Sequence, residues 1–167
     1  LVYHVSLMKV FTIAGWSGSG KTTLITRLIA EFKRGGKSVA AVKRAPRKYH
    51  LEPESSDTFK FLDAGADEVC LAATNEILTM KRIAGQDDVF EFLDQRVPPC
   101  DILLLEGLRR DNIPMIEVFD SSKNQSLKYP VQDLTAVVSD KPVTDAIPNF
   151  DRDRIADIIH FMEVNHG

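Results

Sequence analysis

Residues 15–23 have the types and the spacing needed to hold a chain of phosphates. They read GWSGSGKTT and contain the pattern G-x-x-x-x-G-K-T, whose glycines let backbone N–H groups turn toward an anion. In this pattern the lysine reaches the β- and γ-phosphates, and the following hydroxyl ligates magnesium. The predicted nucleotide-binding residues of this loop are Gly15, Trp16, Ser17, Gly18, Ser19, Gly20, Lys21, Thr22 and Thr23.

The residues on either side of this loop have the patterns of a strand and a helix. Val10, Phe11, Ile13 and Ala14 form an apolar run of strand length directly before Gly15. After Thr22, apolar residues recur at helical spacing, which predicts an amphipathic helix: Leu24, Ile25, Leu28, Ile29 and Phe32. A helix in this position adds the positive end of its dipole to the phosphate site.

Composition favours a single globular domain over residues 1–167, with 44% hydrophobic residues. The net charge of -3 argues against nucleic-acid binding as the main task. Since neither a membrane-length apolar run nor the pattern of a signal peptide is present, we expect a cytoplasmic protein without a membrane partner. Residues 1–8 have two interpretations, a stretch foreign to the native protein or a flexible native extension.

The remaining patterns predict an α/β fold with a mostly parallel, twisted sheet flanked by helices. EVCLAA and EILTMK read as a short β-hairpin around Thr74 and Asn75 that extends the sheet. A C-terminal helix is expected to start at Asp151, and Cys70 and Cys100 are interpreted as buried free thiols. The other predicted strands are 38–43, which is expected to be buried, and 102–105, 113–119 and 134–139.

Two carboxylates follow predicted strands and are candidates for magnesium binding. Glu106 comes directly after the apolar run 102–105, at the carboxyl end of that strand, where ligands of α/β sheets bind. Its alternative role is a cap or a salt bridge. Asp57 starts a short predicted helix, where it is a cap, a magnesium ligand, or both.

A basic stretch follows the second strand, in RAPRKYHLEPESS. Its cationic residues Arg44, Arg47 and Lys48, together with Lys43 at the end of the strand, are expected near the phosphate edge of the sheet. A loop of this length is often functional, so the stretch has two interpretations, anion binding or a solvated charged loop.

Several of these motifs, taken in their order along the chain, resemble the family of molybdopterin-guanine dinucleotide biosynthesis protein B (MobB). The phosphate loop is followed by VKRAPRKYH, SSDTFKFLDAGA, DILLLEGLRR and AVVSD. The resemblance covers nearly the whole chain from Lys9. It implies a P-loop GTP-binding protein of a class that also includes dethiobiotin synthetase.

The resemblance also implies cofactors, partners and residue roles. Thr22, Asp57 and Glu106 would share a magnesium ion beside GTP, and Lys21, Asp57 and Glu106 would carry any catalysis. The protein would be a homodimer and a weak GTPase that assists a separate molybdopterin guanylyltransferase in guanylation of the molybdenum cofactor. Molybdopterin or the cofactor itself would be a further ligand.

Two features depart from the family pattern. Relatives usually have a histidine-rich segment after the strand-two lysine, whereas here Lys43 is followed by RAPRKYH. The predicted residues for anion or pterin-phosphate binding are therefore cationic: Lys43, Arg44, Arg47 and Arg109. The guanine-reading motif Asn-Lys-x-Asp is incomplete, and only Asp140, after Val138 and Ser139, is predicted to contact the base.

Two other functions remain open from the residues alone. A small-molecule kinase of the uridine-kinase-like type is compatible with G-x-S-G-S-G-K-T-T, although a kinase must also position an acceptor and exclude water. The other function is that of a nucleotide-gated adaptor, in which hydrolysis is incidental. A phosphorylated product would identify the kinase, and GTP-dependent partner binding would identify the adaptor.

Overall fold

The computed structural model describes residues 8–45, 53–83 and 85–165 of the chain. The chain divides into two compact units, Leu1–Arg44 with Pro99–Gly167, and Ala45–Pro98. The single-domain interpretation stays a prediction. Across the described ranges, no helix has both the length and the apolar character needed to span a bilayer.

The elements alternate between strands and helices as expected of an α/β chain. A 3₁₀ turn at Val131–Asp133 precedes the seventh strand. In chain order the elements are β1 (Lys9–Ala14), α1 (Lys21–Arg34), β2 (Val39–Lys43), α2 (Asp57–Asp63), β3 (Val69–Ala72), β4 (Ile77–Met80), α3 (Gln86–Arg96), β5 (Ile102–Glu106), β6 (Met115–Phe119), β7 (Ala136–Ser139), β8 (Asn149–Asp151) and α4 (Ile155–Val164).

The first unit contains a six-stranded sheet in the order β2-β5-β1-β6-β7-β8. Every neighbouring pair is parallel. Because the carboxyl ends of parallel strands lie at one edge, the segments after β1, β5, β6, β7 and β8 all start there. The predicted parallel sheet with flanking helices is therefore confirmed.

The core of this unit lies where helices α1 and α4 cover one face of the sheet. Phe11 and Ile13 of β1 are fully buried there against Leu28 of α1 and Ile158 of α4. The opposite face has a smaller cluster that includes Met115, Phe119, Leu134 and Val137. Burial on both faces explains why the central strands are continuous apolar runs.

The second unit is built from the hairpin and helix α2. Strands β3 and β4 are antiparallel, and the pair Ala72 and Ile77 closes the turn over Thr74 and Asn75, as predicted. The prediction that this hairpin extends the larger sheet was wrong, because among the described residues β3 and β4 pair only with each other and form a sheet of two strands. Helix α2 is capped by Ser56, whose Oγ accepts a hydrogen bond of 3.2 Å from the Phe59 N–H. Leu62, Val69 and Met80 form its small buried cluster.

Three further local predictions were wrong, and one strand was not predicted. Strand β2 is only partly buried, because it is the edge strand and pairs on one side. Asp151 ends strand β8, and helix α4 begins at Ile155. The three-residue strand β8 was not predicted, because so short a run shows no clear periodicity. Both cysteines are free, as predicted, but Cys70 is exposed and Cys100 is only partly buried.

Candidate functional site

The phosphate loop joins β1 to α1 and depends on glycine backbone geometry. Gly15, Gly18 and Gly20 have φ values of 135°, 75° and 100°, which L side chains rarely adopt. A Cβ on Gly15 would lie 2.3 Å from the Val118 carbonyl oxygen. Helix α1 begins directly after Gly20, and glycine has no side chain that could cap the first N–H groups of the helix. The residues present therefore fit an anion at this helix end.

Lys21 spans the phosphate loop from the first turn of α1. Its Nζ donates hydrogen bonds to the carbonyl oxygens of Trp16, at 2.6 Å, and Gly15, at 3.2 Å. Burial lowers the pKa of Lys21, while the nearby carboxylate of Glu106 opposes that shift. The ammonium group is thus held beside the uncapped helix end, where a triphosphate would be bound.

Thr22 and Glu106 are brought together, as predicted, although they are 84 residues apart. The Thr22 Oγ1 lies 3.4 Å from Glu106 Oε2, and Lys43 Nζ lies 3.5 Å from Glu106 Oε1. The strand registers explain this, since Glu106 pairs with Ile13 of β1 on one side and Lys43 of β2 on the other. Two neighbouring oxygen ligands of octahedral Mg²⁺ lie about 3 Å apart, so this donor pair fits the ion.

The third predicted magnesium ligand, Asp57, belongs to the second unit. It is the first residue of α2, and its Oδ1 lies 2.9 Å from Lys60 Nζ. Within the described ranges, no cluster of three or more His, Cys, Asp or Glu side chains could hold a metal ion. A magnesium ion at Thr22 and Glu106 would need phosphate oxygens among its ligands.

The described residues that were predicted to bind anions have different partners. Lys43 pairs with Glu106, and the Arg44 N–H donates to the Glu106 carbonyl oxygen at 2.9 Å. Arg109 instead pairs with Asp133 at 3.2 Å and lies over the ring of Tyr129. Arg47 lies outside the described residues.

The segment after β6, residues 120–130, contacts the phosphate loop and was not recognised from the sequence. The Trp16 Nε1 donates to the Ser126 carbonyl oxygen at 3.0 Å, and Lys123 Nζ donates to the Gly18 carbonyl oxygen at 3.1 Å. The fully buried Glu117 holds the far end of this segment, since its carboxylate accepts hydrogen bonds from two backbone N–H groups, of Lys128 and Tyr129. Burial raises the pKa of Glu117.

Asp120, Asp140 and Arg152 come from the segments after three neighbouring strands. The predicted base contact, Asp140, accepts hydrogen bonds from the N–H and the hydroxyl of Ser121, at 2.9 and 2.5 Å. These bonds lower the pKa of Asp140. Arg152 Nη2 lies 3.5 Å from Asp140 Oδ1, and its Nη1 lies 3.9 Å from Asp120 Oδ2. A signal for Asp120 was present, because it directly follows an apolar strand, as Glu106 does.

A pocket of about 280 Å³ lies beside the phosphate loop, and two members of this cluster, Asp120 and Arg152, line it. It is lined by Gly18, Ser19 and Thr23 on one side and by Asp120, Lys123 and Arg152 on the other. The phosphate loop and this pocket are therefore continuous, which suits a ligand that has both a phosphate chain and a larger organic group.

A parallel sheet with a phosphate loop after β1 and a Thr–Glu pair at its carboxyl edge defines the class of P-loop NTPase-like proteins. Within that class, the model of the family described as molybdopterin guanine dinucleotide synthesis protein B (MobB) matches residues 10–140. The chain belongs to the MobB family.

Similar proteins agree with this assignment. The molybdopterin-guanine dinucleotide biosynthesis adapter protein of Haemophilus influenzae is 27% identical, over 98% of this chain and 92% of its own length. The Escherichia coli protein of the same name is 25% identical, over 83% of this chain and 82% of its own length. A crystal structure of molybdopterin-guanine biosynthesis protein B has a TM-score of 0.68 at 26% identity, covering 93% of this chain and 98% of its own.

The hydrogen bonds of Asp120 should make the stability of the protein depend on pH in acid. Hydrogen bonds from Ser122 and Lys123 lower the pKa of Asp120 from 3.8 to about 2. The stability contributed by the ionised carboxylate is therefore complete above its ordinary pKa of 3.8 and lost as pH falls toward 2. We expect Asp120→Asn to unfold at a lower urea concentration than wild type above pH 3.8. The difference in urea midpoint should shrink as pH falls from 3.8 to about 2.

The matched control is the same change at the exposed Asp111, which should retain the wild-type dependence of stability on pH. Urea titrations monitored by circular dichroism at several acidic pH values measure both. A difference between wild type and Asp120→Asn that stays constant down to pH 2 would contradict the assignment.

Proposed function

We propose that this protein binds GTP with Mg²⁺ and acts as an adapter in molybdopterin guanine dinucleotide biosynthesis, where it assists a guanylyltransferase. The observation that carries the proposal is the placement of Lys21, Thr22 and Glu106 around one uncapped helix end. The names of its curated relatives support the pathway and the adapter role. We further propose a cytoplasmic homodimer with weak GTPase activity.

The residues of the phosphate loop have separate tasks in this proposal. The first N–H groups of α1 and the Lys21 ammonium bind phosphate oxygens. Thr22 and Glu106 hold the magnesium ion, which supplies positive charge against the triphosphate. Lys43 keeps Glu106 in position from the neighbouring strand. Asp57 stays proposed as a further ligand, directly or through water.

The charges near the phosphate loop support slow hydrolysis by the isolated protein. Phosphoryl transfer by a P-loop depends on cations positioned at the transition state. Lys43 is paired with Glu106, Lys123 with Asp120, and Arg109 with Asp133. Each of these cations is held by a carboxylate, so we propose that the partner enzyme or bound molybdopterin completes the site.

Replacing Lys21 should separate phosphate binding from folding. We expect Lys21→Ala to weaken GTP binding at least tenfold, because a charge-assisted contact contributes about 1.5–3 kcal/mol. Isothermal titration calorimetry in the presence of Mg²⁺ measures the loss. Lys33→Ala, the same change at an exposed site on α1, should bind GTP as wild type does. GTP affinity that is unchanged by Lys21→Ala would refute the site.

The magnesium site should respond to its two oxygen ligands. We expect Thr22→Ala and Glu106→Gln to raise the Mg²⁺ concentration needed for half-maximal GTP binding, because each removes a hard oxygen ligand or its charge. Thr26→Ala, one turn further along α1, is the matched control for the threonine. Identical Mg²⁺ titrations for wild type and both variants would show that the ion binds elsewhere.

The adapter role predicts that turnover depends on other molecules. The isolated protein should hydrolyse GTP slowly and should transfer no guanylyl group, and the guanylyltransferase or molybdopterin should raise hydrolysis several-fold. Arg109→Ala and Arg47→Ala should reduce that increase more than they weaken GTP binding, as measured by phosphate release. Rapid hydrolysis by the lone protein that neither addition changes would instead indicate a self-sufficient enzyme.

A further inference from the structure

Two residues that line the pocket beside the phosphate loop each have a buried polar atom without a hydrogen-bond partner among the described residues. Ser19 Oγ and Arg152 Nε are both buried and lack a hydrogen-bond partner among the described residues. Both residues line the pocket of about 280 Å³. Burying a donor without an acceptor destabilises the fold, and this is the cost of placing the Arg152 guanidinium in the wall of the pocket.

Arg152 is held in place on three sides. Its Nη2 donates to the Phe119 carbonyl oxygen at 2.9 Å and lies 3.5 Å from Asp140 Oδ1. Its Nη1 lies 3.9 Å from Asp120 Oδ2. Arg152 lines the pocket that is continuous with the phosphate loop, and Asp140 adjoins Arg152. The two side chains therefore place a hydrogen-bond donor and an acceptor side by side.

A hydrogen-bond donor beside an acceptor can pair with guanine but not with adenine. Guanine presents the O6 acceptor next to its N1–H and N2–H₂ donors, so O6 can face Arg152 while the donors face Asp140. Adenine presents its N6–H₂ donor where guanine has O6, and an N1 acceptor beside it. Adenine would thus place a donor against Arg152 and an acceptor against a carboxylate.

We propose that Arg152 is a specificity-determining residue that reads O6 of guanine, with Asp140 beside it accepting from N1 and N2. This inference deepens the proposed function and depends on GTP binding at the phosphate loop. Asp120 and the Phe119 carbonyl hold the guanidinium in position. Sites built to pair with specific polar groups reject analogues that lack them, because the partners are left unpaired.

The test compares ligands that share the phosphate chain but differ in the base. Calorimetry with Mg²⁺ would measure binding of GTP, ATP, inosine triphosphate and inorganic tripolyphosphate. We expect wild type to bind GTP at least tenfold more tightly than ATP. Arg152→Gln should lose at least tenfold in affinity for GTP and for inosine triphosphate, which both have O6, and less than twofold for tripolyphosphate.

The neighbouring carboxylate allows a gain-of-binding test. In Asp140→Asn the side-chain amide can donate to O2 of xanthine while its oxygen accepts from N1. The ratio of xanthosine triphosphate to GTP affinity should therefore rise at least tenfold in this variant. A role of Asp140 in folding alone would not produce that increase.

Two further variants separate base reading from structural effects. Arg154→Gln is the matched control, since Arg154 pairs with Asp157 and does not line the pocket, and it should retain all wild-type affinities. Arg152→Lys preserves the charge but not the planar donor group, so it should still bind GTP less tightly than wild type. Thermal unfolding of each variant verifies that it is folded.

The outcomes distinguish this inference from the proposed function. Equal losses of GTP and tripolyphosphate affinity in Arg152→Gln would show that Arg152 only shapes the phosphate loop, and would overturn the inference. Wild-type binding of GTP and ATP with equal affinity would also overturn it while leaving the phosphate site intact. Failure of wild type to bind GTP or tripolyphosphate would overturn the proposed function and this inference together.

Discussion

The close approach of Gly15 to strand β6 is the constraint on which the candidate site depends. A methyl group on Gly15 would lie 2.3 Å from the Val118 carbonyl oxygen, so a side chain there would push the phosphate loop off the strand. The close fit also lets the segment after β6 reach the loop, through the bond from Lys123 to the Gly18 carbonyl. One missing side chain thus permits both the loop and the pocket beside it.

Charges at this edge of the sheet are arranged as paired groups on either side of the phosphate loop. Glu106 lies between Thr22 and Lys43 on one side, and Asp120 lies between Lys123 and Arg152 on the other. The carboxylates of these pairs are largely covered, whereas the Lys43 and Lys123 side chains are exposed. The pairs therefore fix the positions of the charges around the candidate phosphate site.

Much of the site could be predicted from local sequence patterns. The phosphate loop, the helix after it and the strand that ends at Glu106 each have a signature within about a dozen neighbouring residues. Since strands of a parallel sheet end at one edge, the meeting of Thr22 and Glu106 also followed from pattern alone. Lys43 could be placed at the same edge because it ends a predicted strand. Asp57 and Arg109 could be proposed as site residues, but their distances from that edge could not be predicted.

The sequence by itself determined which segment is the candidate phosphate loop and which carboxylate follows a buried strand, because glycine spacing and apolar periodicity are patterns within short segments. Only the tertiary structure decided that Asp120, Asp140 and Arg152 form one cluster. These residues follow three separate strands, and their proximity depends on the neighbouring order β6-β7-β8. Strand order arises from packing between distant segments, and β8, with three residues, is too short to show a periodicity of its own.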